Sequence, residues 1–313
     1  MIIKDNSTLR KLTTSWYESN DFDRIQQHIE LETDELSKIV GDDVINQAKA
    51  IADNLSPSES DMNLLQKVQL PIALMSVYRY FQLNIVSHDQ STRKIKVDSD
   101  NEKLPWEWML DRDDKAHLSG AQRAIDQLIS YLDKTENEHW IDSPQKKAAK
   151  RLFVNNTEVF GDYYPIDNSA RFYYLCIPLL QEVQSLELRP ALGDDYRSLL
   201  DAFQNDDLNE YQGELLELTQ RAQVLSTISL AVRRLNTQVL PVGIVKKLQS
   251  ESQSLNASRP ATKEEISYFG KRMEEDAFNF IDKIKRKRYE QTPEYLEYKL
   301  LPRNDPKSKF AST

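Results

Sequence analysis

The chain repeats its own pattern, and this repetition constrains the fold more than any other feature of the sequence. The tripeptide Gly-Asp-Asp occurs at residues 41–43 and again at 193–195, a spacing of 152 residues (193 − 41 = 152). Two further blocks recur in the same order, with residues 66–81 over 220–235 and residues 121–134 over 270–283. Matching blocks with small changes of spacing predict an internal duplication with short insertions.

The residues around each Gly-Asp-Asp predict a joint between two helices. Apolar side chains recur at helical spacing before the glycine, which stands where a helix C-terminus favours a left-handed residue. The aspartates then open the next helix, where carboxylates cap free N–H groups and favour the positive end of the dipole. A metal site is the alternative, but no His or Cys cluster supplies further ligands. The predicted joint residues are Gly41, Asp42, Asp43, Gly193, Asp194 and Asp195.

Longer helices and short β-prone segments follow each joint. The helices are predicted around residues 64–81 and 220–235 and, later in each copy, around 115–135 and 262–289. Between them, residues 83–97 and 238–248 combine valine and isoleucine with turn residues, which predicts a small β-hairpin in each copy. Only 7 of the 313 residues are glycine, and this scarcity also favours helices over turn-rich β structure.

We therefore expect a mainly α fold of two tandem helical units, each with a short β-hairpin. The first unit is predicted to cover residues 1–150 and the second residues 151–290. Residues 291–313 are proline-punctuated and polar but carry aromatic side chains. They form either a disordered tail or an extended C-terminal arm that orders on a neighbouring subunit.

Arg79 and Arg233 stand at matching places in the aligned blocks, on helices that are otherwise largely apolar. One interpretation is that each side chain extends along its helix to reach solvent. The sharper hypothesis is that each guanidinium pairs with the aspartates of its own joint and holds the angle between the helices.

The charge and cysteine content exclude some classes of function. A net charge of −9 and a pI of about 5.2 argue against a broad surface for nucleic-acid phosphates. The single cysteine, Cys176, excludes an intramolecular disulfide, and its apolar neighbours favour a buried inert thiol over a nucleophile. No apolar run is long enough for a membrane span, and the N-terminus lacks a signal-peptide pattern, so we expect a soluble protein made in a cytoplasm.

Aromatic and basic residues are the candidates for contacts with other chains. Two tryptophans alternate in the segment KLPWEWML, so either both pack internally or one of them meets a neighbour. A basic run ends the last predicted helix, where the helix dipole alone favours cations, and the C-terminal segment carries aromatic anchors. The predicted contact residues are Trp106, Trp108, Lys285, Arg286, Arg288, Tyr295, Tyr298 and Leu300.

Three stretches resemble an uncharacterised family of phage and prophage proteins encoded among virion structural genes. They are FDRIQQHIELETDELSKIVGDDV (22–44), LLQKVQLPIALMSVYRYF (64–81) and KIKVDSDNEKLPWEWMLDRDDKAHLSGAQRAIDQLISYLD (94–133). Each half is also similar to the head–tail connector adaptors of tailed phages, in which a helical core carries a β-hairpin and an extended terminal arm.

This resemblance implies a place in the virion neck after assembly in the host cytoplasm. The chain would form a homo-oligomeric ring of twelve subunits that binds the portal protein above and tail proteins below. DNA would be only passing cargo in the channel, and neither a membrane nor a cofactor is implied. This chain departs from the single-unit adaptors because it is duplicated.

The sequence predicts a protein that is not an enzyme. The four histidines are scattered, and there is no glycine-rich phosphate loop, no G-x-S-x-G and no zinc spacing. A cytoplasmic helical module for protein–protein interaction is the main alternative, because it shares every feature except the virion context. A metal-dependent enzyme that uses acidic pairs is the weaker one.

Overall fold

A computed structural model describes residues 1–88, 93–94, 105–235 and 263–292, and nearly all of them belong to helices or to short turns. The predicted mainly α class is confirmed. The helices are α1 (Asn6–Leu12), α2 (Phe22–Val40), α3 (Asp42–Asp53), α4 (Glu59–Asn84), α5 (Glu107–Lys134), α6 (Glu138–Ile141), α7 (Pro144–Lys150), α8 (Thr157–Tyr163), α9 (Ala170–Leu175), α10 (Ile177–Val183), a π-helical turn (Gln184–Leu188), α11 (Arg189–Leu192), α12 (Asp195–Gln204), α13 (Glu210–Arg234) and α14 (Lys263–Tyr289). None of these described helices is long and apolar enough to cross a membrane.

Strand structure is minimal in the described residues. Strand β1 (Ser87–His88) pairs antiparallel with β2 (Arg93–Lys94), with Ser87 opposite Lys94 and His88 opposite Arg93. Two residues per strand do not establish the predicted hairpin of the first unit. The predicted hairpin of the second unit, residues 238–248, lies outside the described residues.

The two repeats begin with the same short helix. Asp5 caps α1 by accepting a hydrogen bond from Thr8 N, and Asn156 caps α8 by accepting one from Val159 N. Both helices have seven residues, and the two caps stand 151 residues apart (156 − 5 = 151). The structural repeat therefore includes the segments before the aligned blocks.

The long helices α4 and α13 start at the same spacing. Ser58 and Asp61 form a capping box at the start of α4, in which each side chain accepts from the backbone N–H of the other. Asn209 and Gln212 form the equivalent box at the start of α13, again 151 residues later (209 − 58 = 151). The spacing of 154 predicted from residues 66–81 is therefore wrong for these helices.

The corrected spacing identifies one hydrogen bond that occurs in both repeats. Gln69 Nε2 in α4 donates to Ile2 O at 2.8 Å, and Gln220 Nε2 in α13 donates to Phe153 O at 2.9 Å. Donor and acceptor are each displaced by 151 residues. Both bonds attach the extended first residues of a repeat to its long helix, where no strand is available to satisfy the backbone.

The second repeat adds two further glutamines to this attachment. Gln184, from the π-helical turn, accepts from Phe153 N at 3.0 Å and donates to Arg151 O at 2.9 Å. Gln223 accepts from Val154 N at 3.0 Å and donates to Gln184 Oε1 at 3.0 Å. Because these groups are buried, losing one partner would leave the other unsatisfied at a substantial cost.

Each repeat contains an antiparallel pair of long helices. In the first, α4 packs against α5, with Gln82 Nε2 3.3 Å from Asp114 Oδ2. In the second, α13 packs against α14, where Ser229 Oγ donates to Gly270 O at 2.7 Å. The helix pair is the largest rigid element of each repeat.

The segment that joins the repeats lies in the middle of the apolar core. One continuous cluster contains Ile29 of α2, Trp140 of α6 and Ile228 of α13, all fully buried. The predicted division between residues 150 and 151 coincides with the end of α7, but this core crosses it. The two repeats therefore share one apolar core.

Candidate interaction surface

The first Gly-Asp-Asp is a turn between α2 and α3, as predicted. Gly41 has φ +92°, a conformation that side chains rarely adopt, and its N–H donates to Ser37 O at 2.7 Å. The predicted capping by carboxylates is wrong here, because Gly41 itself is the N-cap and Asp42 and Asp43 fall in the first turn. Both aspartates are exposed, and they stabilise the start of α3 only through the interaction of their charge with the helix dipole.

The second joint also has a glycine with positive φ, but its partners are different. Gly193 has φ +50°, and Asp194, which follows as the N-cap, makes no side-chain cap because its backbone is helical and not extended. Asp195 Oδ2 accepts from Arg288 Nε at 2.9 Å and from the Tyr211 hydroxyl at 3.3 Å. Arg288 Nη1 also donates to Ala191 O at 2.9 Å, which satisfies a carbonyl at the end of α11.

Each joint is thus covered by a side chain from a later helix of its own repeat. The first is covered from α7, where Gln145 Nε2 donates to Lys38 O at 2.9 Å and Ser143 Cβ lies 3.3 Å from the Cβ position of Gly41. The second is covered by Arg288 of α14. Sequence reasoning did not identify Arg288 as a joint residue, because 93 residues separate it from Asp195 and no local pattern connects them.

Neither Arg79 nor Arg233 contacts the aspartates of its joint, so the pairing hypothesis is wrong. Arg79 Nε lies 3.5 Å from Glu32 Oε1 of α2. Arg233 donates to Ser229 O one turn earlier at 3.0 Å and lies 3.4 Å from Glu274 of α14. With the spacing of 151, position 79 corresponds to Leu230, so the two arginines are not equivalent.

The basic run at the end of α14 is engaged by carboxylates. Lys285 lies 3.7 Å from Asp282, and Arg286 lies 3.3 Å from Glu290, both at helical spacing. Arg288 is held in the joint, so its predicted role as a partner contact is replaced by an internal one. Exposed helical pairs of this kind add little stability.

Cys176 is buried, as predicted. Its side chain is fully enclosed in the core, and burial raises the pKa of the thiol, an effect only partly opposed by the Arg171 guanidinium. A neutral buried thiol is a poor nucleophile. Within the described residues, no group of three or more His, Cys, Asp or Glu side chains is arranged to hold a metal ion.

Trp106 and Trp108 are both exposed, by 71% and 58%, so the interpretation that both pack internally is wrong. They begin α5, which lies beside the end of α4 because the two helices are antiparallel. Large apolar side chains from both helix ends are at least one-third exposed there. We call this surface the tryptophan end, and it comprises Phe81, Leu83, Ile85, Trp106, Trp108 and Met109.

The tryptophan end is the candidate interaction surface of the first repeat. Single exposed apolar residues are ordinary, but six large ones at one end of a rigid helix pair are typical of a surface that binds another chain. The remaining predicted contacts, Tyr295, Tyr298 and Leu300, lie outside the described residues.

Comparison with protein-family models identifies the repeated unit. A family described as "Family of unknown function (DUF6712)" matches residues 36–150 and again residues 188–306. The chain belongs to this family. The two DUF6712 regions begin 152 residues apart (188 − 36 = 152), the spacing of the two Gly-Asp-Asp joints, and the predicted duplication is confirmed. No curated protein and no solved structure matches the chain.

The repeat in the structure is longer than the DUF6712 regions. Helices α1 and α8, with their equivalent caps, precede the first and second region respectively. Each repeat therefore consists of an N-terminal segment with a short helix, a glycine joint and a long antiparallel helix pair.

Proposed function

We propose that this protein is a structural, non-enzymatic subunit of a tailed-phage particle that forms a ring at the neck, between the portal and the tail. The resemblance of residues 22–44, 64–81 and 94–133 to phage virion proteins motivates the proposal. The tryptophan end is the observation that carries it, because a subunit that works by geometry needs an exposed apolar surface on a rigid support.

The architecture suits assembly into a ring. A ring forms when one surface of a subunit binds a different surface of the next and the rotation closes, with twelve subunits expected here. Contacts from later helices cover the joints and the long helices pack in pairs, which favours contacts that repeat at one angle.

The decisive experiment is to locate the chain in purified particles. Electron microscopy of the neck should show a ring built from this chain, and quantitative mass spectrometry should find it in equal copy number to the portal protein. Absence of the chain from purified virions would overturn the proposal. It would leave the cytoplasmic protein–protein interaction module, which uses the same exposed surface on a host or phage partner.

A variant test connects the surface to the function. Replacing Trp106 and Trp108 together by serine should leave folding unchanged, because both side chains are mostly exposed, but should stop the chain from entering particles. Tyr17→Ser is the matched control, since Tyr17 is an aromatic residue that is 65% exposed in the turn before α2. If the double variant enters particles as efficiently as Tyr17→Ser, the tryptophan end is not an assembly surface.

A further inference from the structure

A groove of ≈ 410 Å³ lies between α1 and α4 in the first repeat. Its apolar wall includes Leu12, Met62 and Leu65, and Lys11 stands exposed at its edge. Gln69 also lines the groove. Its Nε2 donates to Ile2 O at 2.8 Å, while its Oε1 accepts no hydrogen bond from any residue that the structure describes.

The second repeat has a tyrosine at the equivalent place. Tyr163 is the last residue of α8, as Leu12 is the last of α1, and they stand 151 residues apart (163 − 12 = 151). The Tyr163 hydroxyl donates to Gln220 Oε1 at 3.0 Å. Arg221 lies 5.2 Å from the centre of the Tyr163 ring, at cation–π distance.

Comparison of the repeats shows what the groove lacks. Gln69 and Gln220 make the same hydrogen bond to the first residues of their repeats, so their side chains have the same orientation. In the second repeat the amide oxygen of Gln220 accepts a hydrogen bond from the hydroxyl of Tyr163, which belongs to α8. In the first repeat Leu12 leaves both the space and the acceptor available. The duplicated half of the molecule thus indicates the chemistry of the missing occupant, a tyrosine side chain.

The chain carries such a side chain outside the described residues. Directly after Thr292, the sequence reads Pro-Glu-Tyr-Leu-Glu-Tyr, so Tyr295 and Tyr298 are each preceded by a glutamate. These carboxylates complement Lys11 at the edge of the groove. Tyr295 and Tyr298 stand three and six residues after Thr292, so an extended chain at ~3.3 Å per residue carries them up to about 10 and 20 Å from it.

We propose that the groove between α1 and α4 binds the tyrosine-bearing segment 294–298 of a second copy of the chain. One tyrosine ring lies on Leu12 and Leu65, and its hydroxyl donates to Gln69 Oε1. A second copy is the source because α14 ends at the joint of the second repeat, where Arg288 contacts Asp195, whereas the groove lies in the first repeat. When the C-terminal segment of one copy binds the first repeat of the next, the contact is head-to-tail, as the proposed ring requires. The inference therefore rests on the proposed function.

Photo-crosslinking of the full chain tests this contact. A benzophenone amino acid placed at position 295 or 298 should crosslink to Met62 or Leu65 in the concentrated protein. Mixing copies of natural and heavy isotopic composition distinguishes the source, because contacts between copies give mixed-mass crosslinked peptides. Crosslinks confined to a single copy, crosslinks elsewhere on the surface, or no crosslinks between copies would each overturn the proposal.

Leu12→Tyr is the sharpest variant, because it reproduces in the first repeat the tyrosine of the second. It should close the groove, reduce the crosslink at least tenfold and leave the unfolding midpoint unchanged or raised. Leu55→Tyr is its control, since Leu55 is fully exposed between α3 and α4 and should not affect the crosslink. An undiminished crosslink in Leu12→Tyr would show that the segment binds elsewhere.

The outcomes separate this contact from the proposed function. Crosslinks between copies at the groove, with the chain absent from virions, would retain the contact and reject the neck ring. A ring at the neck, with no crosslinks from positions 295 or 298 to Met62 or Leu65, would support the proposed function and reject this contact.

Discussion

Replacing Gly193 by alanine tests the joint of the second repeat, because the substitution brings both a backbone conformational cost and a clash with Arg288. At φ +50° an alanine costs about 1–3 kcal/mol, because side chains rarely adopt this conformation. Its Cβ would also lie 2.7 Å from Arg288 Nη2 and 2.9 Å from Arg288 Nη1, so the guanidinium must move. That movement breaks the hydrogen bonds to Asp195 and Ala191 O.

The second cost is limited by solvent. Hydrogen bonds to charged groups contribute about 1.5–3 kcal/mol each when buried. The side chains of Arg288 and Asp195 are 27% and 37% exposed, so we expect only about 1–2 kcal/mol for the pair. The free energy of unfolding of Gly193→Ala should therefore fall by about 2–5 kcal/mol in total.

Urea denaturation followed by circular dichroism measures this loss against two matched variants. Gly41→Ala has the conformational cost without the arginine, since its Cβ meets only Ser143 Cβ at 3.3 Å and Gln145 Oε1 at 3.7 Å. Gly213→Ala lies within α13 with no atom within 4 Å of its Cβ, and it should stabilise by about 0.5–1 kcal/mol.

A double-mutant cycle isolates the clash. In an Arg288→Met background the Gly193→Ala substitution should cost only the conformational part, which leaves a coupling of about 1–2 kcal/mol. Coupling near zero would refute the argument that Arg288 covers this joint.

Three further predictions follow from buried and capping groups. Gln223→Leu should destabilise by about 3 kcal/mol in urea, because it leaves buried backbone groups unsatisfied, whereas the exposed Gln127→Leu should be near neutral. Native Cys176 should resist iodoacetamide and react only on unfolding, and labelling of the folded chain would contradict its burial. Ser58→Ala should cost about 1 kcal/mol through its lost cap, with Ser56→Ala in the same turn as the unaffected control.

Local patterns predicted the local structure. Apolar spacing and the punctuating glycines located α2, α3 and the turn between them, because helix periodicity and positive φ depend on adjacent residues. The recurrence of Gly41 at Gly193 identified the duplication for the same reason. The predicted aspartate caps are wrong for two reasons: Gly41 takes the N-cap position at the first joint, and Asp194 at the second joint has a helical backbone and not the extended one that capping needs.

Contacts between distant residues were not predictable in this way. The pairing of Arg288 with Asp195 and the attachment of Phe153 by Gln220 join residues 93 and 67 positions apart. The matching of Arg79 to Arg233 was wrong because sequence similarity suggested a repeat spacing of 154 residues. The equivalent hydrogen bonds of Gln69 and Gln220 instead give a spacing of 151 residues. Trp106 and Trp108 were candidate contact residues, but the exposure of both rings was not predictable, since alternation of two tryptophans does not show how much of each ring is covered.

The position of the joining segment in the core has an evolutionary consequence. Trp140, Phe160, Phe172 and Tyr173 are fully buried between the repeats, and either half alone would expose part of this aromatic cluster to water. A gene shortened to one repeat would thus encode a chain that exposes aromatic surface which the other repeat now covers. Substitutions in this cluster therefore affect the packing of both repeats at once.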